Sequence, residues 1–165
     1  MEPVYGVDPR ALDTEKSWGP ILVRPLSRND RSQWDRLWTL YLEFYKTQLP
    51  GAQYDLTFER LLDPGEPMFG YLAEKDGQPR GLVHIILHRS AWIDGPSCYL
   101  QDLYVDSDLR GTGMGRILIE HVYHVVQGFG GTRVHWLTQD TNETARNLYD
   151  RVARNAGFIQ YVKAL

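Results

Sequence analysis

Polar and apolar residues alternate in some stretches of this chain and recur every three or four positions in others, and the changes of period divide it into elements. Residues 1–19 follow neither rule. They hold two prolines and scattered charges, which predicts an extension ahead of one folded domain over 20–165, with Trp18 placed to pin its end. Ile21 to Leu26 predicts a short strand, and Ser27 or Asn29 can cap the helix that follows. In that helix, about Asp30 to Gln48, the residues Trp34, Leu37, Trp38, Tyr41, Leu42 and Tyr45 make one broad aromatic face suited to a core. A second short helix is expected over Leu56 to Leu62, ended by Asp63-Pro64-Gly65. Met68 to Ala73 and Gly81 to His88 then read as antiparallel strands joined by the turn Lys75-Asp76-Gly77-Gln78. In the second of these, Val83, Ile85 and Leu87 face one way and His84, Ile86 and His88 the other.

The stretch from Tyr99 to Val126 changes period within itself. Leu100, Leu103, Tyr104 and Val105 have strand character, Asp-Ser-Asp stops the strand, and apolar residues resume at helical spacing from Met114. Between them lies Arg110-Gly111-Thr112-Gly113-Met114-Gly115. Alternating glycines before a helix let the backbone approach a ligand and turn several N–H groups toward the positive end of the helix dipole, which suits a phosphate or pyrophosphate. Arg110 adds charge there. Gly115 is followed by Arg116 and Ile117 rather than by the Lys-Ser/Thr of a Walker loop. The turn also lies two thirds along the chain, where a dinucleotide fold would have it after the first strand. A strand from Arg133 to Thr138, a helix from Asn142 to Asn155 ended by Gly157 and a last strand from Phe158 to Val162 complete the pattern. The order β-α-α-β-β-β-α-β-α-β predicts an α/β fold, a mixed and mostly antiparallel sheet flanked by helices.

Composition narrows the class. The chain has 165 residues, enough for one real core, and a net charge of −3 with acids and bases mixed throughout, which favours no nucleic-acid partner. Cys98 is the only cysteine, so an intramolecular disulfide is impossible, zinc-type spacing is absent, and no metal is expected. Its expected role is a small buried residue. No apolar run approaches the length of a membrane helix, and the amino terminus lacks a signal peptide's apolar core, so a cytoplasmic setting is expected.

Two blocks carry a resemblance. Arg-x-x-Gly-x-Gly following L-x-D-L-Y-V resembles the coenzyme A signature of the GNAT acetyltransferases. WLTQDTNETARNLYDRVARNAGF, from Trp136, resembles that superfamily's strand, Asn-x-x-Ala helix, tyrosine and final Gly-Phe before a strand. The resemblance implies an N-acetyltransferase that uses acetyl-CoA, with a pattern similar to the small-amine, polyamine and histone-type branch. Its acceptor would be a primary amine of a small molecule, attacked directly in a ternary complex. A protein or peptide amine is the alternative within the fold, and a coenzyme A-binding regulatory protein without turnover is the alternative outside it. The resembled fold commonly carries one more strand after Tyr161, so an exposed edge and a homodimer that covers it are expected.

The resemblance also assigns roles. The N–H groups of Arg110, Gly111, Thr112, Gly113, Met114 and Gly115 would seat the pyrophosphate, with Arg116 reaching a phosphate oxygen. The backbone of Leu103, Tyr104 and Val105 would pair with the pantetheine arm, the Leu103 N–H would polarise the thioester carbonyl, and Asn142 and Ala145 would meet the arm from the helix. Tyr149 would return a proton to the departing thiolate, since a phenol and a thiol are near enough in pKa. Glu43, Phe44 and Tyr45, at the end of the first helix, would contact the acceptor. Gln101 stands where spermidine/spermine acetyltransferases carry a glutamate, and glutamine takes no proton at neutral pH. That leaves Asp102 or His84 acting through a water, or an amine that arrives neutral with no dedicated base.

Overall fold

The computed structural model describes residues 14–165. Among them six strands form one sheet in which chain order and spatial order coincide: β1 Lys16–Trp18, β2 Ile21–Pro25, β3 Met68–Lys75, β4 Gln78–Ser90, β5 Ile93–Val105 and β6 Arg133–His135. All neighbours are antiparallel except β5 and β6, which run parallel. Four helices flank the sheet: α1 Arg31–Phe44, α2 Gly51–Leu62, α3 Met114–Gly128 and α4 Glu143–Val152. The expected fold class is the observed one. The β3–β4 hairpin closes on Asp76-Gly77, both with positive φ (53° and 73°), the two-residue turn whose twist matches that of its strands.

Each face of the sheet has its own core. Leu72, Leu82 and Tyr104 point toward α1 and α2, where they meet Trp34, Leu37, Trp38, Phe58 and Leu61. Tyr71, Val83, Ile85, Cys98, Leu100 and Val105 point the other way, toward Met114, Leu118, Val122 and Val125 of α3. Cys98 is fully buried, as expected, and burial pushes its thiol up to about 12. The β4–β5 register shifts twice, near the hairpin between His88 and Ser90 and again between His84 and Ile85, and the second shift bears on the site. Ile85 pairs with Leu100 but His84 pairs with Asp102, so Gln101 is an extra residue bulged out of the ladder. A bulge shifts every later side chain by one position, and that shift turns Asp102 and Tyr104 toward α1.

Several boundaries differ from the sequence reading. Lys16–Trp18, placed with the extension, is an edge strand on β2, because the indole of Trp18 reaches across to His121 of α3. The remainder of the expected extension, 1–13, lies outside the described residues. Helix α2 begins five residues early, directly after Pro50, whose extended backbone starts it. The expected last strand over Phe158–Val162 is absent. Among the described residues none after Val152 belongs to a helix or strand, and Phe158, Ile159, Tyr161 and Val162 are 76–87% exposed. A strand needs a hydrogen-bonding neighbour, and these residues have none within the described chain.

Candidate active site

Strands β5 and β6 pair over only three residues each, Ser97 to Tyr99 against Arg133 to His135, and then diverge. The bulge at Gln101 is the local cause, since an unpaired residue bends and twists its strand. Divergence opens a cleft of about 360 Å³. Its walls are the β5 edge at Leu100, Gln101 and Leu103, the chain after β6 from Trp136 to Gln139, Tyr149 of α4, and Tyr41, Tyr45 and Tyr99 at the far end. A larger hollow of about 460 Å³ lies among Lys16, Trp18, Arg116, Tyr123 and Arg151, and shares no lining residue with this one.

The glycine turn stands at the start of α3. Gly111 and Gly113 have φ of 79° and 96°, a region L side chains rarely adopt, and Gly113 is the residue before the first turn of the helix. The leading N–H groups of a helix have no intrahelical acceptor, so this turn offers donors to an anion. Its shape is held from within. Thr112 Oγ1 donates to Leu109 O at 2.6 Å, and the preceding Asp106 is bound by Arg36 of α1 and Arg80 of β4. Arg110 is tied down as well: its Nε donates to Val105 O at 3.2 Å, and its guanidinium lies over the rings of Phe44 and Tyr104. Arg116 pairs with Glu120 at the surface. Gly115 lets α4 rest close on the turn, since a Cβ there would sit 3.3 Å from Leu148.

Among the cleft's tyrosines, the rings of Tyr41 and Tyr45 are 5.0 Å apart, and Tyr99 stacks on His135. Burial, and then the charge of Asp102, push all three phenols above their usual range. Behind them Trp34 Nε1 donates to His84 Nε2 at 2.9 Å, and His84 Nδ1 lies 3.0 Å from Asp102 Oδ2. Tyr149 packs edge-on to Trp136, and burial, with a smaller effect from Tyr45, pushes its phenol up to about 12. Like any phenol it is protonated at neutral pH. Asn142 caps α4, its Oδ1 accepting the Ala145 N–H at 3.4 Å.

Residues 34–153 match the acetyltransferase (GNAT) family. This chain belongs to that family. A D-amino-acid N-acetyltransferase of Saccharomyces cerevisiae is 34% identical to this GNAT acetyltransferase over 143 residues, 86% of this chain and 89% of the relative. A thialysine N-epsilon-acetyltransferase of Sus scrofa is 35% identical over 98 residues, 57% of this chain and 51% of the relative. Among solved structures, a ribosomal-protein-alanine N-acetyltransferase from Brucella melitensis biovar Abortus 2308 shares the fold with a TM-score of 0.71, at 21% identity over 88% of this chain and 99% of that one. An acetyl-transfer enzyme is what the family and the named relatives support, and binding without turnover gives way to it.

Acetyl-CoA is the family's cosubstrate, and the residues of this GNAT acetyltransferase fit it. The glycine turn opens α3 with N–H groups that lack intrahelical acceptors, and among the described residues the diverging strands leave the β5 edge unpaired beyond Tyr99. Gln101, Leu103, Tyr45 and Tyr149 come together in the cleft. Asp102 and His84 lie behind its tyrosine end, buried. His88 does not join His84; it bonds His135, Nε2 to Nε2 at 2.9 Å. Of the three expected acceptor contacts, only Tyr45 lines the cleft, while Phe44 covers Arg110 and Glu43 is exposed. Sequence reasoning missed Tyr41, Tyr99 and Trp136 as lining residues. Tyr41 was findable, because it stands one helical turn before Tyr45 on the same face. Among the described residues no group of three or more His, Cys, Asp or Glu is arranged to hold a metal.

Proposed function

We propose that this enzyme transfers acetyl from acetyl-CoA directly to the primary amine of a small molecule while both are bound. The observation that carries the reading is one small cleft beside an open strand edge, in which the Tyr149 phenol and a tyrosine cluster backed by a carboxylate are gathered. Relatives named for D-amino acids and thialysine support a small acceptor. In this reading the N–H groups of Arg110 to Gly115 hold the pyrophosphate, and the surface charge of Arg116 assists. The backbone of Leu103, Tyr104 and Val105 binds the extended arm, Asn142 and Ala145 approach it from α4, and the Leu103 N–H donates to the acetyl carbonyl oxygen. Asp102 takes one proton from the acceptor's ammonium. Nitrogen then attacks carbon, the carbon–sulfur bond breaks, and Tyr149 protonates the thiolate and is restored by the second proton that the nitrogen sheds. Coenzyme A release measured over a panel of D-amino acids, thialysine, polyamines and amino-terminal peptides tests this. Turnover of at least one small amine is expected, and turnover of peptides alone would overturn it.

A cytoplasmic homodimer is proposed with it. The exposed apolar tail after Val152 and the edge of β6, which pairs with no further strand among the described residues, support assembly, since each is a surface that a second copy can cover. Among the described residues no helix is long and apolar enough to cross a membrane. Sedimentation at micromolar concentration should give a dimer, and removal of residues 156–165 should give a monomer. A monomeric full-length chain would end the idea.

A further inference from the structure

Trp34 of α1, His84 of β4 and Asp102 of β5 form a hydrogen-bonded line through the core, at 0%, 2% and 6% exposure. An indole nitrogen only donates, so His84 Nε2, 2.9 Å from it, must be the accepting nitrogen. The ring's proton is then on Nδ1 and directed at Asp102 Oδ2. We infer that Trp34 and His84 are positioning residues, which aim Asp102 at the Tyr41 hydroxyl, and that Tyr41 passes the acceptor's proton to Asp102. The inference rests on the amine-acetyltransferase reading above.

His84 is unsuited to being the base itself. Its Nδ1 already carries a proton, and a second one on Nε2 would set two N–H groups head to head at 2.9 Å. The ring is enclosed by Trp34 and Trp38 at centroid distances of 6.0 and 5.0 Å, which leaves it little room to turn away from that contact. Asp102 has spare acceptor capacity, because His84 occupies a single lone pair of one oxygen. The charge of Asp102 acts on the Tyr41 phenol, second only to burial, so the two groups are near neighbours, and Tyr41 lines the cleft where Asp102 does not. The proton therefore moves in one concerted shift: the ammonium N–H breaks as the Tyr41 oxygen takes that proton, and the Tyr41 O–H breaks as Asp102 takes the other. Tyr41 is unchanged, Asp102 is neutral, and the amine has its lone pair. The bulge at Gln101 makes this possible, since an unbroken ladder would pair His84 with Gln101.

The test compares His84→Asn, which keeps a donor for Asp102 and cannot act as a base, with His84→Leu, which keeps neither function. A positioning role predicts that the Asn variant retains kcat/KM within roughly tenfold with the pH profile unchanged, and that the Leu variant loses up to roughly 100-fold, the range seen when an orienting partner is removed. Tyr41→Phe should fall with the Leu variant while acetyl-CoA affinity holds. If His84 were the base, both of its variants would fall together by roughly 10²- to 10⁴-fold and the acidic limb of the profile would vanish. Ring nitrogen-15 spectra of the wild type give an independent reading, needed if the Leu variant does not fold. At neutral pH a protonated Nδ1 and a bare Nε2 are expected, and the opposite tautomer would overturn the inference. A wild type that acetylates no small amine would defeat the functional reading and the inference together, whereas equal losses in the two His84 variants of an active enzyme defeat the inference alone.

Discussion

Two buried histidines, on opposite faces of one sheet, are fitted in the same way and put to different use. His84 faces α1 and accepts the indole N–H of Trp34 at Nε2; His121, on α3, accepts the indole N–H of Trp18 at Nδ1, 3.3 Å away. Both rings are closed to solvent. The difference lies at the second nitrogen. That of His84 meets a carboxylate which leads to the cleft, while His121 has the Tyr71 and Trp18 rings beside it and only the backbone of Thr14 favouring its protonated form. Burial, and then the charges of His124 and Lys16, push His121 down to about 4. The same indole–imidazole contact serves positioning where a carboxylate completes it; at His121, where no carboxylate among the described residues does, it fastens an edge strand.

The largest expected effect lies on the cleft side. Tyr149→Phe keeps the ring and its packing on Trp136 and removes only the hydroxyl. Turnover should fall roughly 10²- to 10⁴-fold, about 3 to 5 kcal/mol of barrier, while acetyl-CoA affinity barely changes. Stopped-flow transfer and calorimetry check both halves, and turnover within about threefold of wild type, far short of the general-acid range, would remove the acid role.

On the opposite face the effect is on stability, with turnover untouched. The folded chain holds His121 near 4 against about 6.5 when unfolded, so between those values the unfolded chain binds more protons. Stability from this ring is complete above about pH 6.5 and is lost as pH falls toward 4, at most about 3 kcal/mol. His121→Gln keeps an acceptor for Trp18 and cannot ionise, so its denaturant midpoint should vary less with pH over that window. A wild-type midpoint that stays flat from pH 6.5 to 4 would refute the assignment.

The smallest effect sharpens the contrast between the two indoles. Trp18→Phe removes one hydrogen bond from β1 and should cost about 1 kcal/mol in thermal stability with kcat/KM preserved. Trp34→Phe removes the matching bond from His84 and should lower kcat/KM as well. Equal kinetic behaviour of the two variants would dissolve the comparison.

Much of this was legible in the chain. Helix α1 and its aromatic face, the Asp76-Gly77 hairpin and the glycine turn before α3 each rest on relations within a few residues, where period and backbone preference decide. Lys16–Trp18 carries no such signal; three residues became a strand because Trp18 meets His121, 103 positions away. Phe158–Val162 is an apolar run broken only by Gln160, but an apolar run supplies no partner, and among the described residues the tail forms no strand.

The site divides in the same way. Sequence by itself determined that a glycine turn follows a strand, that a tyrosine stands seven residues after Asn142, and that position 101 is a glutamine, which takes no proton at neutral pH. Only the tertiary structure decided that Asp102 meets His84 and that Tyr41, Tyr45 and Tyr99 share one cleft. The physical reason is register: one bulged residue reverses the facing of everything after it, and nothing in the string L-Q-D-L-Y-V marks which residue will bulge until β4 is laid beside it.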